Sequence, residues 1–284
     1  MVQTQEKRLQ VGKWEWFYRE AEPFNATDKP PVILLHGLPA QSYSWREVLP
    51  ALASQGMRAI APDWLGFGFS AKPDRREFRY TADAFVQALA ELIDQLEIER
   101  FSLVVQGFVG SSGLLYALRY PEKIERLAIL NAPLSPEARV PWKIKQLGLP
   151  LMGEMLTQDP LLVDRTLEGG GKYQVADKDL DIYRAPFLKS SAAGRSLFAT
   201  VQNLRLAEVT SKITSGFANW TQPTQIIWGI NDPWLPVSQA EAFAQMLNNV
   251  ELVRLAEVGH YPQEDWPEKV NEALVPFLRR QIIE

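Results

Sequence analysis

The chain has 284 residues, no cysteine and two histidines. Without thiols there is no thiolate nucleophile, disulfide framework or cysteine zinc site, and two imidazoles cannot build a three-histidine metal centre. Thirty Lys and Arg against 34 Asp and Glu give a net charge of −4 with no basic stripe, which argues against nucleic acid and for a small-molecule or protein partner.

The polar start MVQTQEKRLQ lacks the apolar core of a secretion signal, so a cytoplasmic protein is expected. Residues 9–20 interleave Trp14, Trp16 and Tyr18 with polar neighbours at strand period. Apolar runs follow at Val32–Leu35, Met57–Ala61, Phe101–Val105, Leu127–Leu130, Gln225–Trp228 and Leu252–Leu255, as in strands covered on both faces. Residues 101–118 carry no charge, but three glycines, three serines and a glutamine suit a strand, turn and helix better than a membrane span.

Between these runs lie helical patterns. Ser44 with Glu47, and Ser238 with Glu241, have capping-box spacing. Thr81–Leu96 has an amphipathic face, and Pro267–Ile283 predicts a last helix that Pro276 should bend or interrupt. The alternation predicts an α/β fold, a mostly parallel sheet flanked by helices. It fails over residues 133–222, which have helical fragments and no clear strand. We expect a core of residues 1–132 and 223–284, with 133–222 inserted after the sixth strand as a helical cap. The Gly169–Gly171 run there lacks a P-loop ending and predicts a flexible loop.

Chemistry should sit at the sheet's carboxyl edge. His36-Gly37 follows a buried strand, where backbone amides can face a developing oxyanion; the imidazole is expected to orient the loop. Asp63, ending another strand, is expected to stabilise a turn. Asp232 and His260 follow the last two strands, a placement that predicts a carboxylate-oriented general base.

The motifs HGLP (36–39), SYSWR (42–46), APDWLGFG (61–68), YRAPF (183–187), GINDP (229–233) and GHYPQED (259–265) resemble the α/β-hydrolase family, in its haloalkane dehalogenase and epoxide hydrolase branch. They span residues 32–266, and YRAPF is similar to the cap of dehalogenase-like members. The resemblance implies an α/β-hydrolase fold, with Asp232 as triad acid, His260 as base, and Gly37, Leu38 and Phe108 around the oxyanion and pocket. It departs at the nucleophile elbow, Gly-x-nucleophile-x-Gly in the family. Matching Gln106, Gly110 and Gly113 of VVQGFVGSSG puts Gly107 at the nucleophile. Phe108 then replaces a halide-binding Trp, and Leu38 stands where many dehalogenases have a halide-binding Asn. Ser111 and Ser112 lie on the following helix, their hydroxyls expected to face the packing or the preceding turn.

Three readings follow. The first is an altered or inactive hydrolase that binds a small apolar molecule or an unidentified protein partner. The second is an enzyme using His260–Asp232 as a general base without a covalent intermediate. The third is a hydrolase using Ser111 or Ser112. No cofactor is called for. Apolar residues at Val140–Leu156, among them Trp142, Met152 and Met155, would line an apolar pocket or pack the cap. Peripheral membrane docking ranks behind both because the cationic face of Lys143 and Lys145 is small.

Overall fold

The computed structural model describes residues 2–280. Eight strands form one sheet: β1 (Thr4–Val11), β2 (Trp14–Ala21), β3 (Val32–Leu35), β4 (Ala59–Pro62), β5 (Phe101–Gln106), β6 (Ile124–Leu130), β7 (Thr224–Gly229) and β8 (Val250–Leu255). Their spatial order is β1-β2-β4-β3-β5-β6-β7-β8. From β4 to β8 all pairings are parallel, and β2 joins β4 antiparallel. The single strand expected over residues 9–20 is a hairpin, β1 and β2 joined at Gly12–Lys13. The polar outer strand Thr4–Val11 hid its pairing because its alternation faces mostly solvent.

Helices α1 (Val48–Ser54), α2 (Ala82–Gln95) and α3 (Gly107–Arg119) connect the first strands; α10 (Val237–Met246), α11 (Pro262–Asp265) and α12 (Pro267–Arg279) belong to the last part of the chain. Period-2 alternation sorts the strand residues between two cores. Leu103 and Val105 point into the layer shared with α2 and α3, while Val104 points into the layer shared with α1 and α12. All three are fully buried, each worth roughly 1.5–3 kcal/mol relative to exposure.

Between β6 and β7 lie six helices and no strand: α4 (Trp142–Lys145), α5 (Met152–Leu156), α6 (Leu162–Gly170), α7 (Asp177–Lys189), α8 (Ser191–Gln202) and α9 (Leu206–Phe217). Several local expectations need correction. Neither capping box opens a helix: Ser44 lies in a 3-10 turn, Ser42–Trp45, and Ser238 lies inside α10 behind Pro236. Thr81 does cap α2, accepting from the Ala84 amide. Pro276 sits within α12 without ending it, and Ile283 lies outside the described residues. Trp142, Met152 and Met155 are 63%, 46% and 77% exposed, so they line no buried pocket. Ile144, Leu147 and Gly153 are the buried residues of that segment. Among the described residues no helix is long and apolar enough to cross a membrane.

Candidate active site

The carboxyl ends of β3, β5, β6, β7 and the loop after β8 converge on His260. The His260 Nδ1 lies 2.8 Å from Asp232 Oδ2, and both side chains are fully buried. Asp232 Oδ1 also accepts from the Trp234 and Leu235 amides at 2.8 and 3.1 Å, and Oδ2 from Asn131 Nδ2 at 2.8 Å. Surrounded by donors, the carboxylate is an acceptor, so the histidine proton sits on Nδ1 and Nε2 presents a lone pair. That Nε2 is buried and has no hydrogen-bond partner.

Aromatic rings hold the imidazole in place. Phe108 stacks on it at 5.1 Å and 27°, Trp234 lies at 4.7 Å, and Tyr261 meets it edge-on at 4.9 Å. The backbone is fixed as firmly. The His260 amide donates to the Gly170 carbonyl at 2.7 Å, and its carbonyl accepts from Gln106 Nε2 at 2.8 Å. The expected flexible glycine loop is therefore a packed joint: Gly169 and Gly170 end α6, and a Cβ on Gly170 would lie 2.5 Å from Trp234 and 2.8 Å from Tyr261. Only a residue without a side chain lets α6 approach the His260 loop so closely.

Gly107 sits where β5 turns sharply into α3, at φ +70°. A Cβ built there would stand 3.4 Å from His260 Nε2 and 3.0 Å from Gly37 Cα. The position thus faces the free lone pair. The Gly37 amide, expected to help hold an oxyanion, instead donates to Gln106 Oε1 at 3.1 Å. Gln106 is polar yet fully buried because both ends of its amide are used, tying the β3 loop to the His260 loop. Leu38 is buried, and its carbonyl accepts from Tyr261 Oη at 2.9 Å. Ser111 Oγ donates to the Phe108 carbonyl at 2.6 Å, the preceding-turn orientation expected of it. It lines, with Ser112, Phe108 and Tyr80, a cavity of about 10 Å³.

The other carboxyl-edge residues have framing roles. His36 Nε2 accepts from the Trp64 amide at 3.1 Å, so its Nδ1–H donates to the Gly37 carbonyl at 2.7 Å; burial depresses its basicity. Asp63 accepts from the Ser42 and Phe69 amides at 2.6 and 2.7 Å, the turn-stabilising role expected.

Two sets of residues escaped the sequence reading. Asn131, just after β6 at φ +36°, donates to Asp232 and bonds the Gly229 amide and carbonyl at 2.9 and 3.2 Å. Its signal was available: a polar residue directly after an apolar run, as at Asp232. The second set uses motif residues to which no role was given. Glu264 receives Arg46 at 2.8–3.0 Å and the Tyr183 hydroxyl, while Tyr43 donates to Asp179 at 2.7 Å. This network clamps α7 to the core. Burial raises the Glu264 carboxyl above its ordinary range, with Arg46 opposing. Burial and the Asp179 bond push the Tyr43 phenol to about 12.

The sequence pattern of the α/β hydrolase fold matches residues 30–267. The chain belongs to that family. A haloalkane dehalogenase of Mesorhizobium japonicum is 28% identical over 271 residues, covering 89% of this chain and 86% of the relative. A cis-3-alkyl-4-alkyloxetan-2-one decarboxylase of Shewanella oneidensis is 30% identical over 262 residues, covering 87% and 81%. The crystal structure of a haloalkane dehalogenase from Bradyrhizobium elkani superposes with a TM-score of 0.85 at 25% identity, over 97% and 98% of the two chains. This α/β-hydrolase-fold chain thus resembles the dehalogenase-like branch. Among the described residues no cluster of three His, Cys, Asp or Glu has the arrangement of a metal site.

Proposed function

We propose that this protein is an altered dehalogenase-like hydrolase that has abandoned covalent catalysis and keeps His260–Asp232 as a general base. One observation carries the reading: the residue facing the lone pair of His260 is Gly107, whose missing Cβ would be 3.4 Å from Nε2. A glycine cannot form an alkyl- or acyl-enzyme. The same lone pair, oriented through Nδ1 by Asp232, accepts a proton from water or from an acidic position of a small apolar ligand. Asp232 then stabilises the imidazolium, and the Leu38 and Phe108 amides are the groups proposed to face developing negative charge. Neither side chain has an N–H, so a departing halide would find no side-chain donor at these positions, which disfavours haloalkanes as substrates. General-base assistance alone contributes about 10²–10⁴-fold.

A second reading, a non-catalytic binder, is favoured by the tight packing around the base. Phe108 covers one ring face of His260, and Trp234 and Tyr261 pack against the rest of the imidazole. Turnover of esters, epoxides and haloalkanes by the wild type, His260→Ala and Gly107→Asp separates the two. General-base action requires wild-type turnover that His260→Ala abolishes. No wild-type turnover, together with activity gained in Gly107→Asp, overturns general-base action and shows that the rest of the machinery persists.

A further inference from the structure

A second concavity lies on the inserted helices, away from the Asp232–His260 pair. It has a volume of about 880 Å³ and runs between residues 138–149 and the α8–α9 joint at 201–207. Its walls combine two chemistries. Val140 and Leu149, both half-buried, supply apolar surface. Arg139, Lys145 and Arg205 supply charge, and no Asp or Glu is among the described residues that line it.

The three cations are poorly neutralised. Arg139 spends its guanidinium on the Pro136 and Ala138 carbonyls at 3.0 and 3.1 Å, which leaves its charge uncompensated. Arg205 has only Glu208 at 3.8 Å, an exposed pair. Its backbone is also held in the left-handed region, φ +39° and ψ +48°, where a non-glycine residue is rare and binding segments are over-represented. Apolar walls beside weakly neutralised positive charge recognise a molecule with both features reversed: an aliphatic tail and an anionic head.

We propose that this groove binds a single-chain aliphatic anion, its tail along Val140 and Leu149 and its head among Arg139, Lys145 and Arg205. The volume falls within the range of small-molecule sites, roughly 300–1,000 Å³. Asn203 and Leu204 line both this groove and the small cavity beside Phe108, so a ligand here lies one wall away from the residue stacked on His260. The site stands on the groove alone and is independent of whether His260 acts as a base.

The test is calorimetric titration of the full chain with monomeric dodecanoate, dodecyl phosphate and dodecyltrimethylammonium. Both anions should bind with a stoichiometry of one, and octanoate should bind more weakly than dodecanoate, by up to about fourfold per CH₂ lost. Arg139→Gln with Lys145→Gln, both exposed and remote from the sheet, should weaken the anions about threefold to tenfold. Ala207→Glu, also exposed, should weaken them further by placing a carboxylate in the wall. His260→Ala should leave affinity unchanged, which keeps this result separate from the base chemistry. Equal binding of the dodecyl cation, or no effect of either charge variant, would overturn the site. So would capture by phosphatidylglycerol vesicles without binding of monomeric dodecanoate, since that describes a membrane surface and not a groove.

Discussion

At the elbow, His260 Nε2 is buried with nothing to bond, facing a glycine. Four residues further on, in α11, Glu264 is buried and held by Arg46 and Tyr183, with Tyr43 and Asp179 completing the set. The two regions are neighbours in the chain, both with deeply buried side chains, but they differ in satisfaction. The clamp is a closed network of donors and acceptors, as expected where the task is to hold inserted helices on the core. The elbow region is closed at Asp232, Asn131 and Gln106, while the atom facing Gly107, His260 Nε2, is left without a partner among the described residues. An orphaned lone pair on an imidazole oriented by a carboxylate is where chemistry or a ligand is to be sought.

If that contrast is right, disturbing the clamp should cost far more stability than disturbing the elbow. Arg46→Ala leaves Glu264 buried without its cation, and denaturant unfolding should show a loss of about 3–5 kcal/mol. Asn131→Ala strands the Gly229 amide and one lone pair of Asp232, an expected loss of about 1–3 kcal/mol on the same measurement. Gly107→Ala meets both the left-handed φ and the 3.0 Å approach to Gly37, and should cost about 1–2 kcal/mol. A larger loss for Gly107→Ala than for Arg46→Ala would reverse the comparison.

The smallest effect expected is in pH dependence. Burial raises the Glu264 carboxyl, so the native state holds its proton more tightly than the unfolded chain. This contribution is fully present below the unfolded value, about 4.3, and is lost as pH rises from there through the folded value. Stability should therefore decline with pH just above the ordinary glutamate range. Glu264→Gln should flatten that slope, read from urea midpoints at successive pH values.

Much of the frame was legible because each buried strand is a short apolar run and the fold repeats it. The Asp232–His260 pairing was legible too, since both residues follow such runs at the carboxyl edge. What escaped was set by tertiary contact. Residues 9–20 read as one strand until β1 is seen folded back on β2, and the glycine run reads as slack until Trp234 and Tyr261 are seen against Gly170. Gly37 looked free to bind an oxyanion because nothing local announces that Gln106, 69 residues away, occupies its amide. Tyr43, Arg46, Tyr183 and Glu264 stood in quoted motifs, but their meeting depends on how α7 returns to the core.

The central claim is that His260 works without a covalent partner. Intact-protein mass spectrometry during turnover of the ester, epoxide and haloalkane panel tests it most directly, with His260→Ala run in parallel. The account expects an unmodified wild-type mass throughout and product formation that disappears in His260→Ala. A substrate-sized adduct on the wild-type chain, or turnover that survives the loss of His260, would contradict it.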